Sequence, residues 1–312
     1  MKPILLSICG FMLIALIMTL FNYENLIRLI PARSQSQFIG AQNKPRHAQS
    51  ERLSPFTNDT ISYSLQKEAL NITYDHGKSW VKVPVDQDQL FGGDYSGNKR
   101  ELIDGSYLLT KHRAAFLHLD GTDSENKSTA LTYSLDQGKT WHHSTVTTSF
   151  ASLRFRKVGF LNERFGYVIL SGDRTMAQEI SRVFLTQDGG RSWKETASTG
   201  VTALISDGGF VNESIGFLSF GTINPEHPQL YVTEDGGKSW SRAVFTLPNK
   251  YLKIFVSAEI PTKDGNHLTV FVNQGPNGDY EGGKVKGKFT SKDNGRTWAF
   301  SEEVQPDESE QE

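Results

Sequence analysis

The chain has a single cysteine among its 312 residues, Cys9, and none after it. Disulfide bridges and thiolate metal sites are therefore excluded from everything beyond the first turn or two of the sequence. Charge of one sign is also lacking, since the formal net charge is −2. That near-balance hides a gradient: residues 1–50 carry a net +4, residues 51–300 sum to zero, and residues 301–312 carry −6. A neutral body has no basic face with which to displace counterions, so no nucleic-acid partner is expected. Missing as well are a phosphate-cradling glycine motif, a nucleophile elbow and a cofactor fingerprint. The glycine-rich stretch 274–283 is a long hairpin loop with no helix after it. His112, His118, His227 and His267 are scattered, and the pair His142-His143 stands alone, without the clustering that zinc requires. No cofactor and no metal are expected.

Long apolar runs are absent except at the start. Residues 3–21, PILLSICGFMLIALIMTLF, hold no charge, and a helix of that length spans about 28 Å, close to the hydrocarbon thickness of a bilayer. A cleaved signal peptide would have a shorter apolar core and a small-x-small site, which Asn22-Tyr23-Glu24-Asn25-Leu26-Ile27 does not offer. A lipoprotein reading at Leu6-Ser7-Ile8-Cys9 fails on bulky Ile8 and on the apolar run that continues past Cys9. Residues 1–22 therefore read as an uncleaved, single-pass transmembrane anchor. Lys2 against Arg28 and Arg33 hardly biases orientation; the short leader favours an extracytoplasmic domain at the cell membrane. Residues 23–54 are polar and aperiodic, as in a flexible stalk, and residues 302–312 form an acidic tail expected to be disordered.

What the sequence does have is one eight-residue pattern five times over: TYDHGKSW at 73–80, SLDQGKTW at 134–141, TQDGGRSW at 186–193, TEDGGKSW at 233–240 and SKDNGRTW at 291–298. All five tryptophans of the protein fall in these boxes. Intervals of 61, 52, 47 and 58 residues between successive aspartates match the repeat length of propeller blades. Each box reads as a hairpin turn. Asp75, Asp136, Asp188, Asp235 and Asp293 accept local backbone N–H groups. Gly77, Gly138, Gly190, Gly237 and Gly295 supply positive φ where the chain reverses. Trp80, Trp141, Trp193, Trp240 and Trp298 open the next strand and bury a large ring. The lysine or arginine of each box points outward.

The flanks supply further strands. In the third unit, runs at 154–160, 165–171, 180–186 and 191–196 make four, and GGFVNESIGFLSFG repeats VGFLNERFGYVILSG in the fourth. The second and fifth units, residues 101–146 and 251–302, follow the same plan. The first unit, residues 55–85, shows three strands only, to be completed from elsewhere unless a degenerate blade lies in residues 84–100. Residues 55–301 are thus expected to be an all-β propeller of five four-stranded blades, or six if that degenerate blade exists.

At these boxes the sequence resembles the bacterial neuraminidase-repeat, or Asp-box, proteins, over about 245 residues. The two TxDGGxSW boxes, each preceded by a strand pair of the form GF…N-E-x-x-G-[YF], look most like the propellers related to photosystem II assembly factors. Sialidases, other glycosidases and sortilin-type receptors are further relatives. The resemblance implies a fold but no single function, because this scaffold carries catalysts, receptors and assembly factors alike.

In a four-stranded blade the box turns share one face with the first-to-second hairpins. The opposite face collects the longer segments 86–100, 120–129, 172–179, 221–229 and 274–286, and is the expected binding face. The box aspartates are read as structural, being locally complete turns spread around the rim. For a sialidase, the resemblance implies three arginines on a substrate carboxylate and a tyrosine nucleophile with a glutamate beside it. The Arg-Ile-Pro signature is missing from the start of the domain, and Arg28-Leu29-Ile30-Pro31 precedes the stalk. Arg100, Arg154, Arg174 and Arg182 could approach the long-loop face, and Asp279-Tyr280-Glu281 places tyrosine next to glutamate, although adjacent residues of extended chain point apart. The expectation is a non-enzymatic module that binds a protein or glycan partner through the long-loop face. The alternative is an extracytoplasmic glycosidase of sialidase-like fold.

Overall fold

The computed structural model describes residue 53 and residues 56–94, 97–121, 128–148, 152–175, 178–221 and 225–306. The first sheet is β1 (Ser62–Gln66), β2 (Ala69–Thr73) and β3 (Val81–Asp86), followed by a single helical turn, α1 (Gln87–Leu90). The second is β4 (Tyr107–Leu109), β5 (Ala114–Asp120), β6 (Ser128–Ser134) and β7 (His142–Thr147). The third is β8 (Leu153–Phe160), β9 (Gly166–Thr175), β10 (Gln178–Thr186) and β11 (Lys194–Glu195). The fourth is β12 (Leu204–Phe210), β13 (Gly216–Gly221), β14 (Gln229–Thr233) and β15 (Ser241–Arg242). The fifth contains β16 (Val244–Thr246), β17 (Phe255–Ala258), β18 (Thr262–Asp264), β19 (His267–Gln274), β20 (Lys286–Ser291) and β21 (Thr297–Val304). Within sheets one to four, successive strands pair antiparallel in sequence order. The described residues thus form an all-β body of five successive sheets, four of them antiparallel and the fifth mixed.

Strand alternation explains why these segments pair as they do. In β3, Val83 and Val85 are buried while Lys82, Pro84 and Asp86 are exposed, and Pro84, which lacks an N–H, sits on an edge strand where no ladder bond is lost. The inward positions of neighbouring sheets then meet in four apolar clusters. Ile72 and Val83 pack with Ala114 and Phe116; Leu117 and Leu131 pack with Val158 and Val168. Ile169 and Val183 pack with Ile205 and Leu218, and Phe217 and Leu230 with Val270 and Phe289. Each fully buried side chain of this size contributes roughly 1.5–3 kcal/mol. Among the described residues, no such cluster joins the fifth sheet to the first.

Three departures from the strand scheme shape the molecule. The first sheet has three strands, and the described part of residues 84–100 holds the end of β3 and α1 but no further sheet. Parts of the expected loop 86–100 and of the start of the second unit lie against β8: Asp94 N–H donates to Leu153 O at 2.7 Å, and Val158 N–H donates to Gly105 O at 2.8 Å. Arg156, buried, fixes the start of that segment by donating to Leu90 O at 3.2 Å and to Gly92 O. Burial alone lowers its guanidinium to about 10. In the fifth sheet, β16 leaves the fourth unit and pairs in parallel with β21, giving the order β16-β21-β20-β19-β17.

Glu302 and Glu303, assigned by sequence to a disordered tail, pair with Lys288 and Gly287 and belong to β21. The rest of that tail beyond Pro306, the apolar run 3–21 and the stalk up to residue 52 lie outside the described residues. Among the described residues no helix is long and apolar enough to cross a membrane.

Candidate binding groove on the Asp-box face

Each box turn is closed by the same five bonds. In the third, Thr186 Oγ1 donates to Asp188 Oδ1 at 2.8 Å and accepts from the N–H groups of Asp188 (3.3 Å) and Gly190 (2.9 Å). Asp188 Oδ1 accepts from Ser192 N–H at 3.0 Å, and Oδ2 from the Ser192 hydroxyl at 2.6 Å. The same atoms meet at Asp75, Asp136, Asp235 and Asp293. The aspartate therefore reaches four residues ahead, and the residue two places before it satisfies the glycine N–H. Hydrogen bonds from Ser192 chiefly hold Asp188 down at about 2. Asp75, Asp136 and Asp235 are held at about 2 by the corresponding bonds. Two successive residues take positive φ, as at Gln137 (62°) and Gly138 (85°). Such a reversal is what requires glycine at the second place. The box lysine or arginine is exposed in all five.

The box tryptophans do not all bury alike. Trp193 lies edge-on to Phe160 with ring centroids 6.2 Å apart, and Trp240 does the same with Phe210 at 6.3 Å. Trp193 Nε1 donates to Ser144 of the second sheet at 3.1 Å. Trp298, fully buried, stacks on Phe245 and meets Phe217 of the fourth sheet.

Between the second and third sheets, on the box face, three chain tips enclose a groove of about 930 Å³. They are the β4–β5 turn with Thr110, His112 and Arg113, the β8–β9 turn with Leu161 to Arg164, and the third box with Gln187 to Arg191. Tyr133 and Phe160 lie on its floor, and His142 stacks on Tyr133 with centroids 5.2 Å apart. Leu135 and Leu161, at the ends of β6 and β8, line it while remaining 47% and 42% exposed.

Arg113 builds this groove. Its guanidinium lies 3.7 Å from the centroid of Phe160, donates from Nη1 to Gly189 O at 2.9 Å and from Nη2 to Glu163 O at 3.0 Å. Burial lowers its affinity for the proton, but no guanidinium deprotonates at neutral pH. Close approach of the box to the β8–β9 turn makes the bridge possible: a Cβ at Gly189 would lie 2.7 Å from Glu163 O. Strand register shows what Arg113 replaces. Ala114, Gly166 and Gly216 pair with Ser134, Thr186 and Thr233, each the first residue of a box. Arg113 thus corresponds to Phe165 and Ile215, which are apolar. Phe165 packs edge-on to Phe210 at 5.8 Å, as Arg113 packs on Phe160.

Two carboxylates line the groove, Glu163 and Asp188. The oxygens of Asp188 are held by the donors of its own turn, which turns them away from attacking or protonating a ligand.

On the opposite face, residues 95–96, 122–127, 176–177 and 222–224 lie outside the described residues, as does the side chain of Arg174. Arg154 is committed to buried Glu179, with Nε donating to Oε2 at 2.6 Å, and to Ile205 O at 2.6 Å. Arg182 pairs with Glu195 at 3.5 Å, and the Arg100 N–H donates to Asn98 Oδ1 at 2.9 Å. The guanidinium groups of Arg154 and Arg182 thus go to different carboxylates and do not converge. Tyr280 does find a glutamate, but it is Glu303 on β21, at 2.9 Å, rather than its neighbour Glu281. Tyr251 donates to the same Glu303 oxygen, and Lys250 lies 3.6 Å from it. The bond to Glu303 raises the proton affinity of the Tyr280 phenol. A smaller hollow of about 240 Å³ borders this loop, lined by Pro225, Lys253, Val256 and the 274–280 stretch.

Residues 132–143, which contain the second box, match the BNR/Asp-box repeat family. Among solved structures, the fold is similar to the sialidase of Trypanosoma rangeli at 14% identity, covering 63% of this chain and 37% of that one with a TM-score of 0.40. It is similar to the GH74 xyloglucanase of Xanthomonas campestris at 15% identity, covering 74% of this chain and 34% of that one, TM-score 0.38. The GH43_1 enzyme of Xanthomonas citri complexed with xylotriose matches at 9% identity, covering 64% and 72%, TM-score 0.36. The chain spans about two fifths of the length of the sialidase structures. No curated protein matches its sequence.

Proposed function

We propose that the protein is a non-enzymatic binding module, a five-bladed propeller displayed outside the cell membrane on an N-terminal anchor, whose box-face groove receives a protein or glycan partner. One observation carries this reading: two exposed leucines, two aromatic rings and a cationic rim meet in one groove whose second carboxylate, Asp188, is locked in a turn. Concave sites with apolar floors and few oriented polar groups are what ligands select. The site differs from the long-loop face expected from topology, because three short tips from two sheets enclose more space than any one of them suggests. The test is equilibrium binding of the purified chain to peptide and glycan arrays, compared with Leu161→Ser. Binding that drops about tenfold or more in the variant supports the groove; partners retained equally by both proteins would send the search to the other face.

A second reading, an extracytoplasmic glycosidase of sialidase-like fold, is favoured by the Tyr280–Glu303 hydrogen bond and by Tyr251 on the same oxygen. It predicts hydrolysis of a fluorogenic sialoside or xyloside that Tyr280→Phe abolishes. Turnover lost in that variant would establish catalysis, and turnover at the buffer rate would leave the module non-enzymatic.

A further inference from the structure

Each of the three tips that enclose the groove brings an arginine to it: Arg113, Arg164 and Arg191. Lys111 is exposed at the first tip, between Thr110 and His112. Against these four cations stand Glu163 and Asp188. Residues 51–300 as a whole are neutral, so the groove concentrates positive charge that the rest of the body does not. The charges differ in availability. Arg113 is spent on two carbonyls and a ring, and Asp188 is enclosed by the donors of its own turn. Arg164 and Arg191, both exposed, are the guanidinium groups that face an incoming ligand, although Arg164 Nε also donates to Gln187 O at 3.3 Å. The same groove is lined by the exposed Leu135 and Leu161 and by the more deeply buried rings of Phe160 and Tyr133.

We infer that the groove takes an extended acidic peptide segment of a partner protein, in which carboxylates alternate with aliphatic side chains. The inference rests on the binding reading above and names the chemistry of its partner. Alternation is the reason for an extended segment: successive side chains point to opposite sides, so one set meets the guanidinium forks while the other enters the leucine-lined floor. A flat anionic surface, such as a lipid headgroup layer, would reach the arginines but not the recessed rings. A phosphate backbone would need a broader basic face than one groove on a neutral body provides.

The experiment uses the purified full chain in detergent and a fluorescein-labelled Asp-Leu-Glu-Leu-Asp-Leu peptide, read by anisotropy. The probes set against it are its Lys-Leu counterpart, neutral xylo-oligosaccharides and phosphatidylglycerol vesicles. The acidic peptide is expected to bind with a Kd on the order of 10–100 µM in low salt, weakening about tenfold by 0.5 M salt. Arg164→Ser and Arg191→Ser each lower affinity about threefold and together about tenfold, and Leu161→Ser lowers it comparably. Lys238→Ser, in the fourth box, leaves it unchanged. Equal binding of the basic peptide, or indifference to the double arginine variant, overturns the inference. So does vesicle binding that outcompetes the peptide and is lost in the same variants. Failure of the acidic peptide alongside oligosaccharide binding that Leu161→Ser abolishes overturns the acidic chemistry while leaving the groove as a binding site. No probe responding to Leu161→Ser defeats both.

Discussion

Arg113 and Phe160, 47 positions apart in sequence, form the joint between the second and third sheets: the guanidinium rests 3.7 Å above the ring and reaches past it to two carbonyls of the third unit. The corresponding joint between the third and fourth sheets is made by two phenylalanines, Phe165 and Phe210.

Replacing Arg113 by alanine removes both carbonyl bonds and the cation–π contact, and leaves a void on the groove floor. A loss of about 2–4 kcal/mol is expected in urea unfolding, with Arg113→Lys at about half of that because lysine cannot fork between two carbonyls. A loss below about 0.5 kcal/mol for Arg113→Ala would mean that the sheets are held at this joint by their apolar cluster alone.

The buried hydroxyl of Thr186 satisfies the N–H of Gly190, which is itself buried. Thr186→Ala should therefore cost about 1–3 kcal/mol, and Thr186→Ser, which keeps the oxygen, should recover most of it. Equal losses in the two variants would place the effect in the methyl group instead.

Acid should loosen the interface between the first and second sheets. His118 is buried, its Nε2 bonded to Thr132 at 2.9 Å; Thr132 also meets His143, which pairs with Asp120. Burial, then the neighbouring His143 and least of all Arg156, push His118 down to about 4, against opposing pulls from Asp120 and from a hydrogen bond to the Leu119 backbone. A histidine with a depressed folded value binds its proton first in the unfolded chain. Its contribution is complete above about pH 6.5 and is lost progressively toward pH 4, by about 3 kcal/mol in total. The box carboxylates act lower, between their ordinary 3.8 and about 2, where their protonation opens the turns. Melting temperature against pH should show the first decline, and His118→Gln should flatten it between pH 6.5 and 4.

Glu179 is fully buried and holds Arg154, the Ser171 hydroxyl and the Ile205 N–H at once. Glu179→Ala leaves a partly buried guanidinium without its carboxylate, and a loss of about 3–5 kcal/mol is expected in the same unfolding measurement. A Glu179→Ala, Arg154→Leu double variant should be less damaged than the single one.

The repeat and its turns were legible because everything a box needs lies within seven residues: a hydroxyl, a carboxylate and a glycine at fixed offsets. The paired runs of the third unit were legible for the same reason, and their observed bounds differ from the sequence reading by a few residues, the strand after the box being shorter. What the sequence concealed depends on contacts between units. Residues 86–100 look like a polar loop, yet Asp94 bonds to the backbone of β8, as Gly105 does just beyond, and Leu102 is buried; Leu90, Phe91 and Leu102 were the available signal. Nothing local to Arg113 marks it out, and only strand register, aligning it with Phe165 and Ile215, shows that it occupies a packing position. The groove itself has no local signature, since its walls come from tips that are each unremarkable alone.

The parallel pairing of β16 with β21 bears on how the chain is made. Val244 to Thr246 finds its partner only at Thr297 to Ala299, some fifty residues later in synthesis. During translation the fourth unit must therefore emerge with a short apolar strand still unmated, and a nascent chain stalled or clipped before β21 would carry that strand exposed. Late truncations should consequently reach beyond the fifth sheet, giving chains that chaperones retain and proteases clear rather than a stable four-sheet remnant.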